Sequence, residues 1–296
     1  MKKTFISIAL LTCICCALSV SVYGLQPSTP PIYTPTPEFV PELAAVTEID
    51  VPIIMYHKVT NHSKQLGKLA ITPKEFESDL QFLQENGYTA VTMDDLIRFV
   101  HAGGSLPEKP IVLSFDDGFF SDYRYVFPLL TQYNIRAVSA IIGYITDEYT
   151  EEGRKDILYP HMTWEQIREM ADSGLVEFQN HSYDLHKTGG ARVGIRQRKG
   201  EPDAEYKACL EADLGKLQMR MQEEIGKVPT TFVYPFGATG KGSDAALAEL
   251  GFSASLACET RINCIARGDA ACLFRMGRLI RPHGKPVAQV LKDAHL

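Results

Sequence analysis

Positive charge is what this chain has little of. Its 30 Lys and Arg are outnumbered by 36 Asp and Glu, for a formal net charge of −6. No basic stripe is present, so the electrostatic footprint that gathers nucleic acid is missing and nucleic acid is excluded as a partner. Beyond residue 24 there is no Cys-x-x-Cys pair of the kind that builds zinc ribbons. No Gly-x-Ser-x-Gly elbow occurs, which argues against a serine hydrolase. No repeat of fixed period is visible, so a solenoid is not expected. What remains, 45% hydrophobic and 22% charged residues, is ordinary globular composition.

The amino terminus reads as a targeting segment. Lys2 and Lys3 precede an apolar run that Tyr23 and Gly24 end. The run is long for a signal-peptide core and near the lower limit for a membrane span. Cleavage near Gly24 and retention as a membrane anchor over residues 1–24 both stay open. Either way the rest is expected outside the cytoplasm, secreted or attached to the membrane. Residues 25–48 are dense in proline and read as a stiff linker. One catalytic domain is expected over 49–296. Its four cysteines, Cys209, Cys258, Cys264 and Cys272, allow disulfides in an exported chain. A local bridge among the last three and four free thiols are both open.

From residue 49 onward, apolar strand candidates alternate with amphipathic helices. "VPIIMYH", "PIVLSF", "RAVSAIIG", "LVEFQNH", "TTFVYP", "FSASLA" and "LFRMGRLI" read as strands. Thr72, Pro73 and Glu75 open a helix, with Phe76, Leu80 and Leu83 as its apolar stripe. Thr163 caps another, and residues 203–226 form a long one. Such alternation predicts parallel strands, and about seven or eight repeats fit a (β/α) barrel better than the alternative, a doubly wound sheet. In both, ligands gather at the carboxyl ends of the strands. Residues 144–160 and 183–203 read as long loops.

"VLSFDDGF" then poses a problem. Adjacent residues on a strand face opposite ways, so mid-strand one of Asp116 and Asp117 would be buried without a partner. At a strand end the chain turns, and Gly118 tolerates the required dihedrals. Both carboxylates can then share one cleft. Two such carboxylates raise each other's proton affinity unless a cation intervenes. A second strand ends at His181, with His186 five residues on. That pair shares no helix or strand face and converges only if the chain reverses between them. Two imidazoles and a carboxylate leave open positions on a divalent ion. A third strand ends in Tyr234-Pro235-Phe236-Gly237, a turn able to line a sugar-sized pocket. His57 ends the first strand at the same rim, and His283 follows the last.

Together these residues resemble the polysaccharide deacetylase (NodB-homology) carbohydrate esterases over about residues 50–290. Ser114 to Gly118 match the first motif of that family, His181-Ser182 with His186 the second, and Pro235-Phe236-Gly237 the third. The resemblance implies a distorted (β/α)7–8 barrel. It also implies a divalent metal, zinc above all, on Asp117, His181 and His186, with Asp116 as base. The implied activity is removal of N-acetyl groups from an acetylated amino-sugar polysaccharide. An O-acetyl esterase and a degenerate glycan-binding module are the alternatives. Tyr234, Pro235, Phe236, Gly237 and His57 are expected at the substrate, Trp164 is a further stacking candidate, and His283 is the expected acid. The chain departs from the family in three ways. Its histidines are spaced i, i+5, which resembles the exported poly-N-acetylglucosamine deacetylase branch. Val233 stands where an arginine usually pairs with the base, and Arg275, Arg278 and Arg281 are the candidates to substitute. The match of Arg281-Pro282-His283 to the last motif is loose.

Overall fold

Alternation of side-chain direction builds the sheet. The computed structural model describes residues 47–151 and 160–296. The expected leader (1–24) and nearly all of the expected linker (25–48) lie outside the described residues. The chain enters as β1 (Glu48–Val51) and β2 (Ile53–Tyr56), parted at Pro52. After the short β3 (Lys58–Val59) and β4 (Ala70–Ile71) comes α1 (Pro73–Glu85). Next are β5 (Thr89–Ala90), α2 (Met93–His101) and β6 (Pro110–Phe115). A widened turn, Asp122–Val126, leads into α3 (Phe127–Tyr133). Then follow β7 (Ala137–Ile141), α4 (Gly143–Glu151), α5 (Trp164–Asp172), β8 (Val176–Asn180) and α6 (Asp203–Ile225). The chain ends with β9 (Thr231–Val233), α7 (Ser243–Glu249), β10 (Ala254–Leu256), β11 (Asn263–Ala266), β12 (Leu279–Ile280) and α8 (Val287–Asp293).

The main sheet runs β10-β9-β8-β7-β6-β2-β12, with β5 beside the start of β6. Every pairing in it is parallel. It curls until its edges meet across residues 276–280. Met276 bridges Leu256 of β10, while Leu279 and Ile280 pair with Ile54 and Met55 of β2. This is the distorted (β/α) barrel expected, thinned to a single bridge on one side. Inward residues such as Ile53, Val112, Val138, Val233 and Leu256 fill the barrel. Outward residues of the same strands, Ile54, Leu113, Phe115 and Phe178 among them, pack with Phe76, Leu80 and Ile167 of the helices. Both faces are buried, so β2 and β6 read as continuous apolar runs. Among the described residues no helix is long and apolar enough to cross a membrane.

The helix starts are those that capping chemistry predicts. The Thr72 side chain accepts the Glu75 amide, and the Glu75 carboxylate accepts the Thr72 amide. Thr163 and Gln166 repeat the arrangement at α5. Each such cap contributes about 1 kcal/mol. Three expectations need correction. Residues 143–151 form helix α4 rather than loop, because Thr146 and Tyr149 are buried on it; residues 152–159 lie outside the described residues. Within 273–280 only Leu279 and Ile280 are strand, since a helical turn ends at Leu273. Strand β11 pairs antiparallel with β1 and was not anticipated. All four cysteines beyond residue 24 are free thiols.

Candidate active site

The inward face of β6 carries Val112 and Ser114, and Asp116 continues that alternation. The Asp116 amide still bonds to Tyr56 O at 3.1 Å, so the ladder reaches this residue. The chain then leaves the strand. Asp117 has φ 76° and Gly118 φ 71°, which swings the Asp117 carboxylate to the side Asp116 already faces. A Cβ on Gly118 would meet Ile141 Cγ2 at 2.9 Å, so glycine is required there on two counts.

Arg278 lies inside the barrel with no exposed surface. Its Nη1 donates to Asp116 Oδ1 at 2.5 Å and its Nη2 to Asp116 Oδ2 at 2.8 Å. The rest of the guanidinium is satisfied by Ser114 Oγ at 3.0 Å and Ala257 O at 2.8 Å. A second buried pair anchors this segment: Arg281 Nε donates to Asp79 Oδ2 at 2.8 Å, and Asp79 also takes the Val287 amide. Burial alone would push the Asp116 carboxyl up. The adjacent Arg278 charge overrides burial and holds it well below the usual carboxylate range.

Asp117, His181 and His186 converge. One ligand-type atom from each lies within 4.8 Å of the others. Asp117 Oδ1 is 3.5 Å from His181 Nε2 and 3.3 Å from His186 Nε2. His181 Nδ1 faces the carbonyl of Val233 at 2.7 Å. A carbonyl only accepts, so Nδ1 carries the proton and Nε2 is the ligand atom. Burial works against charge on His181, yet the Asp117 contact and the Asp116 charge raise its pKa. Burial and the His181 charge push His186 down to about 4. Two carboxylates against one guanidinium leave a negative balance that a cation would offset. The donor set, its spacing and the fixed tautomer fit a divalent ion.

The reversal between the histidines is built by the backbone. Ser182 sits at φ 75°, and its amide donates to Asn180 Oδ1 at 2.8 Å. The Phe236 ring lies 4.3 Å from the His186 ring and is nearly half exposed. Together with His57, Lys68, Leu69, Cys258 and Thr260 it lines a cavity of about 380 Å³ over Asp116 and Asp117. His57 Nε2 is 3.7 Å from Asp116 Oδ2.

Five expected residues are placed elsewhere. Tyr234 is fully buried and its hydroxyl donates to Asp244 and contacts Ser243, so it braces the turn rather than facing the cavity. Pro235 is buried beside it, and Gly237 packs against Cys258, where a Cβ would come within 2.7 Å. Trp164 is buried with its indole N–H on Asp147. His283 is tied to Glu75 at 2.8 Å and does not line the cavity. Sequence reasoning left Arg278 as one of three arginines. It did not single out His161, whose Nδ1 lies 3.0 Å from the Asp117 carbonyl, and no motif pointed to it.

The family model described as polysaccharide deacetylase matches residues 103–255, half of the chain, and spans both carboxylates and both histidines. The chain belongs to the polysaccharide deacetylase family. A poly-β-1,6-N-acetyl-D-glucosamine N-deacetylase of Escherichia coli K12 is 30% identical over 67% of this chain. One of Staphylococcus aureus is 25% identical over 59% of it. The chain spans 32% and 56% of those relatives' lengths, about a third to a half. A solved de-N-acetylase from Aggregatibacter actinomycetemcomitans superposes with a TM-score of 0.70 at 27% identity, covering 82% of this chain and 99% of that one. IcaB from Ammonifex degensii gives 0.66 at 27%, covering 83% and 97%. Within the family pattern, Val233 contributes its carbonyl to His181, while the arginine at the base comes from the other side of the barrel as Arg278.

Asp122, just beyond the first motif, is buried, and its Oδ2 has no partner among the described residues. Burial, then the charges of Asp117 and Asp116, raise its pKa well above the usual value. A raised acid keeps its proton in the fold, so its stability contribution is full below the unfolded value and is lost as pH rises. Asp122→Asn should therefore melt above wild type at about pH 8, with the gap closing toward about pH 4. Melting curves across that range check this.

Proposed function

We propose that this chain is a metal-dependent hydrolase that removes N-acetyl groups from an acetylated amino-sugar polysaccharide, outside the cytoplasm. One observation carries the reading: the Asp117, His181 and His186 ligand atoms meet beside an Arg278-held Asp116 at the floor of a sugar-sized cavity. Asp117, His181 and His186 would hold the ion, and two imidazoles with one carboxylate favour zinc. When bound, the ion supplies Lewis acidity toward a carbonyl oxygen and makes water easier to deprotonate.

The remaining roles belong to the chain. Asp116, kept ionised, takes the proton of the attacking water. The new C–O bond forms at the acetamide carbon, the C–N bond breaks, and acetate and an amine leave. His57 lines the cavity 3.7 Å from Asp116 and is the group in position to protonate the departing nitrogen. We therefore assign it the acid role in place of His283. The exposed face of Phe236 offers a sugar ring a stacking partner. The substrates in the relatives' names point to poly-β-1,6-N-acetylglucosamine as the polymer. A degenerate binding module would be favoured by a base without its arginine, and Arg278 supplies one to Asp116.

The test is acetate release from N-acetylglucosamine oligomers and from O-acetylated xylan, with chelator and with added zinc. We expect release from the N-acetyl substrate, lost on chelation and restored by zinc. Release from the xylan alone, or glycan binding without acetate, would sink the reading.

A further inference from the structure

The i, i+5 spacing of the histidines requires a reversal at Ser182–Asp184, and a residue from helix α6 grips it. Asp213 turns both carboxylate oxygens to two successive amides. The Tyr183 N–H donates to Oδ1 and the Asp184 N–H to Oδ2, each at 2.8 Å. The other edge of the turn is held as well: the amides of Gly143 and Tyr144 donate to the carbonyls of Ser182 and Tyr183 at 3.2 and 2.9 Å. A Cβ on Gly143 would strike the Tyr183 ring at 2.7 Å, so the turn is seated closely. Asp213 is itself rigidly mounted, because Leu210, Leu214 and Leu217 beside it are fully buried.

We propose that Asp213 is a positioning residue for the metal-binding pair: its carboxylate fixes Tyr183 and Asp184 so that His186 returns to face His181 and Asp117. The inference rests on the metal reading above. It follows from donor counting. Two adjacent amides need two acceptor oxygens in one plane, which a carboxylate supplies and an asparagine amide supplies only by half. Without the carboxylate the two N–H groups are left to water or unpaired, and the turn is held at its carbonyl edge alone.

The experiment uses the full chain and Zn(II) as probe, in wild type, Asp213→Ala and Asp213→Asn. Zinc affinity is read by competition with a chromophoric chelator, and amide exchange at Tyr183 and Asp184 in metal-free protein. Thr92→Ala, which removes the α2 cap, serves as a stability control. Alanine should weaken zinc binding about 10–100-fold, the range seen when residues that orient ligands are removed. Asparagine should fall between, and both variants should speed exchange at the two amides. Thr92→Ala should lose stability and keep its zinc affinity. Wild-type affinity in Asp213→Ala overturns the proposal, as does an equal affinity loss in Thr92→Ala. If alanine prevents folding, Asp213→Asn decides: unchanged zinc binding and exchange overturn it. If wild type binds no zinc, the metal reading fails, and amide exchange alone judges the clamp.

Discussion

Arg278→Met should destabilise the fold by about 3–5 kcal/mol at neutral pH, because it leaves the Asp116 carboxylate buried and unpaired. His57, 3.7 Å from Asp116, and His181 offset only part of the lost charge. Ser114 and Ala257 satisfy the guanidinium, not the carboxylate. The pH dependence should also change sign. In wild type the Asp116 pKa is held low, so its contribution is present above the unfolded carboxylate value and is lost as pH falls. Without Arg278, burial is opposed only by the His57 and His181 charges, so the pKa rises and stability is lost as pH increases. The double variant Arg278→Met/Asp116→Asn should recover most of the loss, since removing both partners leaves no buried charge. It should remain inactive. Urea titrations of the four proteins close the cycle. A single variant as stable as wild type would mean the pair contributes nothing.

The parts of this site that a motif carries in consecutive residues were legible. Asp116-Asp117-Gly118 at the end of an apolar run, and His181 at the end of another, follow from strand alternation and from what a turn permits. Direction was harder to read. Phe232, Val233 and Tyr234 are all apolar or aromatic and all buried. A strand covered on both faces has no polar side to reveal which residue points inward, so Tyr234 was assigned to the cavity and Phe236 alone of that turn lines it. Contacts across the ring were the least legible. Arg278 lies 162 residues from Asp116, and Asp213 lies 30 from Tyr183. Barrel closure at residues 276–280 selects Arg278 over its neighbours, and β12, which brings it there, is only two residues long. Arg281, just past β12, goes outward to Asp79, and Arg275, at φ 54° before the strand, pairs with Asp244. His283 fell to the same gap: a histidine after the last strand sits at the rim, but Glu75, already capping α1, captures it.

Asp116→Asn should separate binding from chemistry. Asp116 is not among the atoms that converge with His181 and His186, so zinc affinity should stay near the wild-type value. The proposed acetate release should fall by about 10²–10⁴, the range attributed to a general base. Asparagine keeps the size of the side chain but meets the Arg278 fork with an N–H₂ where an oxygen was, so some stability should be lost as well. Asp117→Asn is the contrasting variant. It removes the negative charge that both Nε2 atoms face, at 3.5 and 3.3 Å from Oδ1, and should lose zinc and activity together. The comparison is decisive because the two carboxylates are adjacent in sequence and equally placed at the strand end. What distinguishes them is partner: a guanidinium holds one, and two imidazoles surround the other. If Asp116→Asn loses zinc as Asp117→Asn does, both carboxylates are ligands, and the base must be sought elsewhere in the cavity, with His57 the first to replace. If Asp116→Asn keeps full activity, proton removal does not pass through this residue at all.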